Sequence, residues 1–382
     1  MITLPEVTAE QLDRMINSIH VRAETLHVRA FLDIAQSPLR VVLTSQGGGG
    51  VIKYEVVVPT ELRNVAVLDA SYAIRDLGKL DKSIKEDAAF DGKIKSYSKV
   101  IVHQLRSWSG RLSMDKEFEH KRREDRKVCQ EVIEVIKSIP EDQAVLVFTF
   151  KANAKVDAAE VLKADLIAAG VDVDATVANG KPRLAWLTWG RENSVSEFSY
   201  CRNVIFAGVL HRGEVDLAGA VAGQSDDLTV DMNTKSLKDI ERSEIVYGLH
   251  QAMNRGSCRD TINGEAVPMS VWLIHWDKSI QKPLSDVMPG LVWQEWGAKF
   301  MEAMTFKIEG AVEKIGEYLH DLPETVSKVS VIAIKRDVGL SDMSTSTWKV
   351  AVLEAAAQSV TWTKDERSFV RSRSASDFGF EG

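Results

Sequence analysis

The chain has 382 residues, 45% hydrophobic and 27% charged, with a formal net charge of −7. That length holds about two or three domains, and the composition is that of an ordinary globular protein, which excludes a disordered, fibrous or uniformly basic nucleic-acid-coating chain but leaves room for a local basic channel. No run approaches the ~18 apolar residues of a membrane span, Met1 to Glu6 show no secretory pattern, and Cys129, Cys201 and Cys258 are too scattered for a disulfide framework or a zinc site, so a reducing cytoplasm is expected.

Residues 7–37 carry Leu12, Met15, Ile16, Ile19, Leu26, Phe31 and Ile34 at helical spacing. Gly47 to Gly50 reads as a loop, and no Gly-Lys-Ser/Thr follows to make it a phosphate loop. Val51 to Pro59 alternates like a strand, and Asn64 to Leu68 is a second, continuously apolar strand that ends in Asp69-Ala70-Ser71. Lys99 to Leu105 is another strand, and residues 115–138 read as one long charged helix with Phe118, Val128, Val132, Val135 and Ile136 on its core face. A strand–helix alternation follows, with strands at Ala144 to Phe150, Arg183 to Thr188, Asn203 to Ala207 and Val267 to His275. Helices are expected at Ala158 to Ala169 and Ser236 to Asn254. Such alternation predicts an α/β fold, a doubly wound parallel sheet with helices on both faces.

After about residue 280 the pattern changes. Leu291 to Leu319 reads as helical, with Trp293, Trp296, Phe300, Met304 and Phe306 along it. Helices near 325–337 and 345–358 and a strand–turn–strand at 360–371 come next, before a Ser-rich tail expected to be disordered. Helix, helix and β-wing in that order resemble a winged helix-turn-helix. Over residues 324–373 the net charge is +2. Ser344 to Thr347 are placed to cap the second helix or to meet phosphates. Thr347, Lys349, Lys364 and Arg367 are the nucleic-acid contact candidates, while Trp348, Val352 and Leu353 are expected in the core.

The chemistry-bearing segment is Gln251-Ala-Met-Asn-Arg255-Gly-Ser-Cys-Arg259. A glutamine with arginines one and two helical turns later puts guanidinium groups on one face, an arrangement suited to clamping a nucleotide phosphate. Three further segments precede it in order: Val65 to Ser71, Val145 to Lys151, and Leu187 to Asn193 with Cys201 to Gly208 after it. Together the four resemble the later motifs of superfamily 2 helicases, over residues 51–275.

That resemblance implies the last strands of a first RecA-like domain (residues 1–76), a linker strand and helix (77–141), a second RecA-like domain (142–280), a helical connector (281–323), the winged-helix-like region (324–373) and a tail (374–382). It implies that Arg255 or Arg259 is an arginine finger, that Gln251 senses the γ-phosphate, and that Asp69, Ser71, Thr188, Gly190 and Asn193 bind or couple to ATP. Thr149, Lys151 and Arg191 would meet nucleic acid. The second arginine falls one residue later than the family places it, with Cys258 at the usual position, so the finger is left between Arg255 and Arg259. The acidic or amide residue that follows the family's glycine could be Asn193, Ser196 or Glu197.

No Gly-x-x-x-x-Gly-Lys-Ser/Thr and no Asp-Glu-x-His or Asp-Glu-Ala-Asp run occurs. Without them nothing here cradles the β- and γ-phosphates or holds Mg²⁺. The resemblance therefore implies ATP and Mg²⁺ only in a complete two-domain assembly, with DNA or RNA and a chain bearing the first RecA-like domain as partners, and no membrane. Such a chain would be a split-gene product, a truncated frame or a degenerate subunit. The alternative is a non-catalytic DNA-binding or assembly subunit that keeps the fold as a scaffold.

Overall fold

The structure is a computed structural model and describes residues 8–18, 39–43, 49–54, 71–85, 95–192, 196–232, 234–301, 304–323, 325–359 and 362–371. Asp69, Asn193, the 7–37 helix apart from its first part α1 (Ala9–Ser18), the 64–68 strand and the Ser-rich tail lie outside them. Two compact units are present, one of residues 1–104 with 108–296, the other of 105–107 with 297–382.

The first unit is built on a six-stranded parallel sheet. Its strands are β3 (Val100–Leu105), β4 (Val145–Thr149), β5 (Leu184–Thr188), β6 (Asn203–Phe206), β9 (Met269–Ile274) and β10 (Val292–Glu295), in spatial order β10-β3-β9-β6-β4-β5. The central strands are buried on both faces, and Val145 to Phe148 and Val204 to Phe206 have no accessible surface. That is why they read in sequence as unbroken apolar runs. From β3 the chain moves to β4 and then to the β5 edge, passing α2 (Arg111–Phe118), α3 (Lys127–Ser138) and α4 (Ala158–Ala168). It then returns through β6 and β9 to the β10 edge, passing α5 (Glu214–Ser225), α6 (Thr234–Met253) and α7 (Gln281–Val287). With right-handed crossovers, this reversal puts the two helix groups on opposite faces. It also makes the carboxyl ends of β4 and β6 a topological switch point, the usual site for ligands in such sheets.

An antiparallel pair near the N-terminus, β1 (Arg40–Leu43) and β2 (Gly49–Ile52), packs onto α5 and α6 through Ile52, Leu217, Val221 and Leu237. A hairpin of β7 (Thr261–Ile262) and β8 (Glu265–Ala266) follows α6. Two expectations for this unit are corrected. Residues 115–138 are not one helix, because the carboxylate of Glu117 accepts the backbone N–H of Val128 at 2.8 Å and so caps a new helix, α3. Residues 292–295 form the edge strand β10 rather than the start of a helix, their backbone paired in parallel with Ile101 to Gln104.

The second unit contains α8 (Met304–Asp321), β11 (Lys328–Ser330), α9 (Val331–Asp337), α10 (Thr345–Gln358), β12 (Trp362–Asp365) and β13 (Ser368–Arg371). Its strands form an antiparallel sheet in the order β11-β13-β12. The helix expected at 325–337 is therefore a short strand and then a helix. Ser330 divides them, its hydroxyl accepting the N–H of Ala333. Trp348, Val352, Trp362 and Phe369 fill the core, and the Trp362 indole donates to the carbonyl of Leu319.

Candidate nucleotide-phosphate site

The end of α6 and the segment from Ser71 to Asp76 lie side by side in opposite directions. Gln251 Nε2 donates to Ser71 Oγ at 2.9 Å. Arg75 Nε donates to Glu244 Oε1 at 2.9 Å, its guanidinium carbon lies 4.6 Å above the Tyr247 ring, and the Asp76 N–H donates to Ser243 Oγ at 3.3 Å. Arg212 shares Glu244 from the other side, 3.3 Å from Oε2. Glu244 is nearly buried between these two arginines, a charge-assisted arrangement that fixes the orientation of α6.

Gln251 faces two ways. While its amide nitrogen reaches Ser71, its Oε1 accepts from Arg255 Nη2 at 3.3 Å. Burial, and then the charge of Arg259 beside it, pull the Arg255 pKa down, while the charge of Glu192 opposes them. Arg255 is half-buried and Arg259 exposed, and an anion beside them would relieve their mutual repulsion. The residues present therefore fit a phosphate group. Lys95, whose ammonium donates to the Arg259 carbonyl at 2.8 Å, holds the backbone of this segment from below.

The position of the segment depends on Gly256. A Cβ there would stand 2.6 Å from Met269 Sδ, 2.9 Å from Val204 Cγ2 and 3.2 Å from the Cys201 carbonyl. Only glycine lets the chain after α6 lie directly on β6 and β9.

The loop after β5 approaches the same helix. Gly190 has φ +91°, a left-handed conformation suited to glycine, and its N–H donates to Glu192 Oε2 at 2.6 Å. Trp189 is buried between Phe148 and Phe206, and its indole N–H donates to the Gly208 carbonyl at 3.0 Å. That indole is a packing group and presents no face to a base. Arg191 is exposed and Thr188 half-buried. The Thr149 side chain is buried, whereas Lys151 two residues on is exposed, with its carbonyl accepting from Arg111 Nη2 at 2.6 Å.

Nearby is a cavity of about 490 Å³ lined by Gly110, Arg111, His211, Arg212, Lys238 and Glu241, among others. Its charge is divided, and His211 Nδ1 lies 3.3 Å from Glu241 Oε1. In the second unit, Thr347 is half-buried, its N–H given to the Ser344 hydroxyl, and Lys349 is exposed. Lys364 turns its ammonium to the Glu366 carbonyl at 2.6 Å, and Arg367 is exposed.

The structure thus brings together Ser71, Gln251, Arg255 and Arg259, with the Thr188–Gly190 turn beside them. Of Thr149, Lys151 and Arg191, the first has a buried side chain and the other two are exposed. Arg75, Arg212, Glu192 and Glu244 were not singled out from sequence. Glu244 precedes Gln251 by seven residues and so shares its helix face, a signal that was available. Among the described residues no cluster with metal-ligand character occurs, and no helix is long and apolar enough to cross a membrane.

No protein-family model matches the chain, and no curated protein matches it. Among solved structures it is similar to an XPD structure titled as the apo form, at 15% identity and a TM-score of 0.32, over 58% of this chain and 46% of that one. It is also similar to one titled XPD helicase, at 13% identity and a TM-score of 0.36, over 58% of this chain and 41% of that one. The chain thus spans less than half the length of either. Likeness at this level identifies no activity.

Proposed function

We propose that this chain supplies the arginine-bearing side of a nucleotide-phosphate site in a helicase-like, nucleic-acid-dependent ATPase, with its parallel sheet serving as a RecA-like domain. The carrying observation is the hydrogen-bonded chain Ser71–Gln251–Arg255, which joins residues 180 positions apart in sequence. Gln251 senses the phosphate, and Arg255 or Arg259 neutralises charge that develops on it. Ser71, with Asp69 beside it in sequence, couples the phosphate to the neighbouring segment, and the Thr188–Asn193 loop relays nucleotide state. Lys151 and Arg191 contact the strand. The second unit, read as a winged helix, adds contacts from Thr347, Lys349, Lys364 and Arg367.

ATP supplies the phosphoryl group when bound. The lysine and Mg²⁺ ligands that the reaction needs would come from a RecA-like domain carrying a phosphate loop, since this sequence holds neither motif.

The test is ATP hydrolysis, with and without single-stranded DNA, by this chain mixed with such a phosphate-loop domain. Activity that requires both components and vanishes in Arg255→Ala/Arg259→Ala supports the reading. Activity untouched by the double substitution refutes it. No activity together with retained DNA binding favours a non-catalytic scaffold.

A further inference from the structure

The cavity beside α6 is built by two loops that leave the same end of the parallel sheet. One follows β3 and opens α2, and the other follows β6 and opens α5. Gly208 lets them meet. Its φ is +113°, and a Cβ there would stand 2.7 Å from Phe150 Cε2, 2.8 Å from Met114 Cγ and 3.1 Å from the Ser109 carbonyl. The next residue, Val209, donates its N–H to that carbonyl at 2.8 Å. Arg111 and Arg212, just beyond the join, therefore line one cavity of about 490 Å³, to which α6 adds Lys238 and Glu241. The buried Leu217 and Leu237 supply apolar lining.

The three cations are not engaged by the carboxylates of the cavity. Arg212 has its one ion pair among the described residues with Glu244, at 3.3 Å, and Glu244 does not line the cavity. Glu244 is nearly buried and is held in turn by Arg75 at 2.9 Å, so Arg212 is braced where it stands. Arg111 gives Nη2 to the Lys151 carbonyl and lies 3.9 Å from Asp115. Lys238 is exposed and has no ion pair among the described residues. Of the two lining carboxylates, Glu241 is turned to His211 Nδ1 at 3.3 Å, and Glu214 sits in the first turn of α5, where the helix dipole favours it. His211 Nε2 is buried and meets no hydrogen-bond partner among the described residues, which is unfavourable for a polar atom.

Three cations from three elements, around a cavity of ligand size at the carboxyl ends of parallel strands, suit a compact group with several oxygens and more than one negative charge. We propose that this cavity is a second anion site that takes a phosphate group, with Arg111, Arg212 and Lys238 as its charge partners and His211 as a hydrogen-bonding one. It is separate from the arginine segment, because Lys238 and Gln251 are thirteen residues apart on α6, about 20 Å along the helix axis. It stands whether or not the nucleotide-phosphate reading does. The phosphate group can belong to a small phosphorylated molecule or to a nucleic-acid backbone.

The test uses the full chain carrying Arg255→Ala/Arg259→Ala, so that the arginine segment contributes nothing. Inorganic tripolyphosphate is titrated into it calorimetrically, and a short oligothymidylate in a second arm. Lys238→Ala, at an exposed position, is expected to weaken binding about tenfold, and Arg212→Ala at least as much. Tripolyphosphate should also shift the His211 Hε1 proton resonance, assigned by its loss in His211→Gln, a readout that does not rely on a cavity variant keeping its fold. Weakening confined to tripolyphosphate assigns a small phosphorylated ligand, and weakening of oligothymidylate as well assigns a nucleic-acid backbone. Binding unchanged by both substitutions, or a His211 resonance that tripolyphosphate does not move, overturns the proposal. So does binding of neither ligand, an outcome that leaves the arginine reading untouched.

Discussion

Gly256→Ala tests whether the arginine segment is seated by close contact with the sheet. The backbone of Gly256 has φ −81° and ψ −170°, which alanine adopts freely, so any cost is steric. The new methyl group would stand 2.6 Å from Met269 Sδ, which can move because a methionine side chain is flexible. It would also stand 2.9 Å from Val204 Cγ2, which cannot readily move. Val204 is completely buried in β6, and its β-branched side chain has little rotameric freedom. The Cys201 carbonyl at 3.2 Å is backbone and accepts the Ser257 N–H at 2.9 Å, so retreat there breaks a hydrogen bond. Overpacking of this kind costs about 1–3 kcal/mol, and loss of one hydrogen bond adds about 1 kcal/mol. We expect a loss of roughly 2–4 kcal/mol in urea unfolding followed by tryptophan emission. Displacement of Arg255 and Arg259 should also weaken tripolyphosphate binding. A loss below about 0.5 kcal/mol, in the range of neutral surface substitutions, would refute the claim that the segment is seated through Gly256.

Three further outcomes follow from other sites. Asp165→Asn should cost about 3–5 kcal/mol, because it leaves Arg126, paired at 2.7 and 2.5 Å and largely buried, without its carboxylate; chemical denaturation measures it. His275 is fully buried, and burial and then the neighbouring His211 push its pKa down to about 3. The unfolded chain thus takes up a proton near pH 6.5 that the folded one refuses, so this stability is complete above about 6.5 and falls by up to ~1.4 kcal/mol per pH unit as pH drops from 6.5 towards 3; His275→Gln should flatten that slope in urea titrations at stepped pH. Gly310→Ala in α8 should act in the opposite direction to Gly256→Ala, raising stability by about 0.5–1 kcal/mol, because a Cβ there meets open space and alanine is the better helix former.

The central strands were legible because burial on both faces demands continuous apolar runs, and Ala144 to Phe150 and Asn203 to Ala207 show them. β10 was hidden because an edge strand is buried on fewer sides. Its Val292-Trp-Gln-Glu295 is largely exposed, and Trp293 and Trp296, three residues apart, mimic a helix. The break between α2 and α3 could not be read from 115–138 alone, since no glycine or proline stands there. It is set by Glu117 reaching Val128 and by Arg126 turning to Asp165 on α4. Ser330 was the readable exception, a cap hydroxyl just before Val331 that marked the true start of α9.

The same distinction explains the candidate site. Gln251, Arg255 and Arg259 stand out because they fall within nine consecutive residues; the single helix face expected for them is corrected, since α6 ends at Met253 and both arginines follow it in the turns around Gly256. Glu192 and Glu244 do not stand out, because what makes each informative is a partner far away in sequence. Glu244 matters through Arg75 at a separation of 169 residues. Glu192 matters through the turn it clips at Gly190, which Trp189 sets against α6 at Gly248. The arginine segment is thus written locally, whereas the carboxylates that brace the elements around it are written in the topology. If that is right, substitutions at Glu192 and Glu244 should differ in kind. Glu244 lies between Arg75 and Arg212 and serves stability, so its loss should lower the urea midpoint. Glu192 accepts the Gly190 N–H at 2.6 Å, and its conversion to glutamine, which keeps an accepting oxygen, should leave the urea midpoint nearly unchanged.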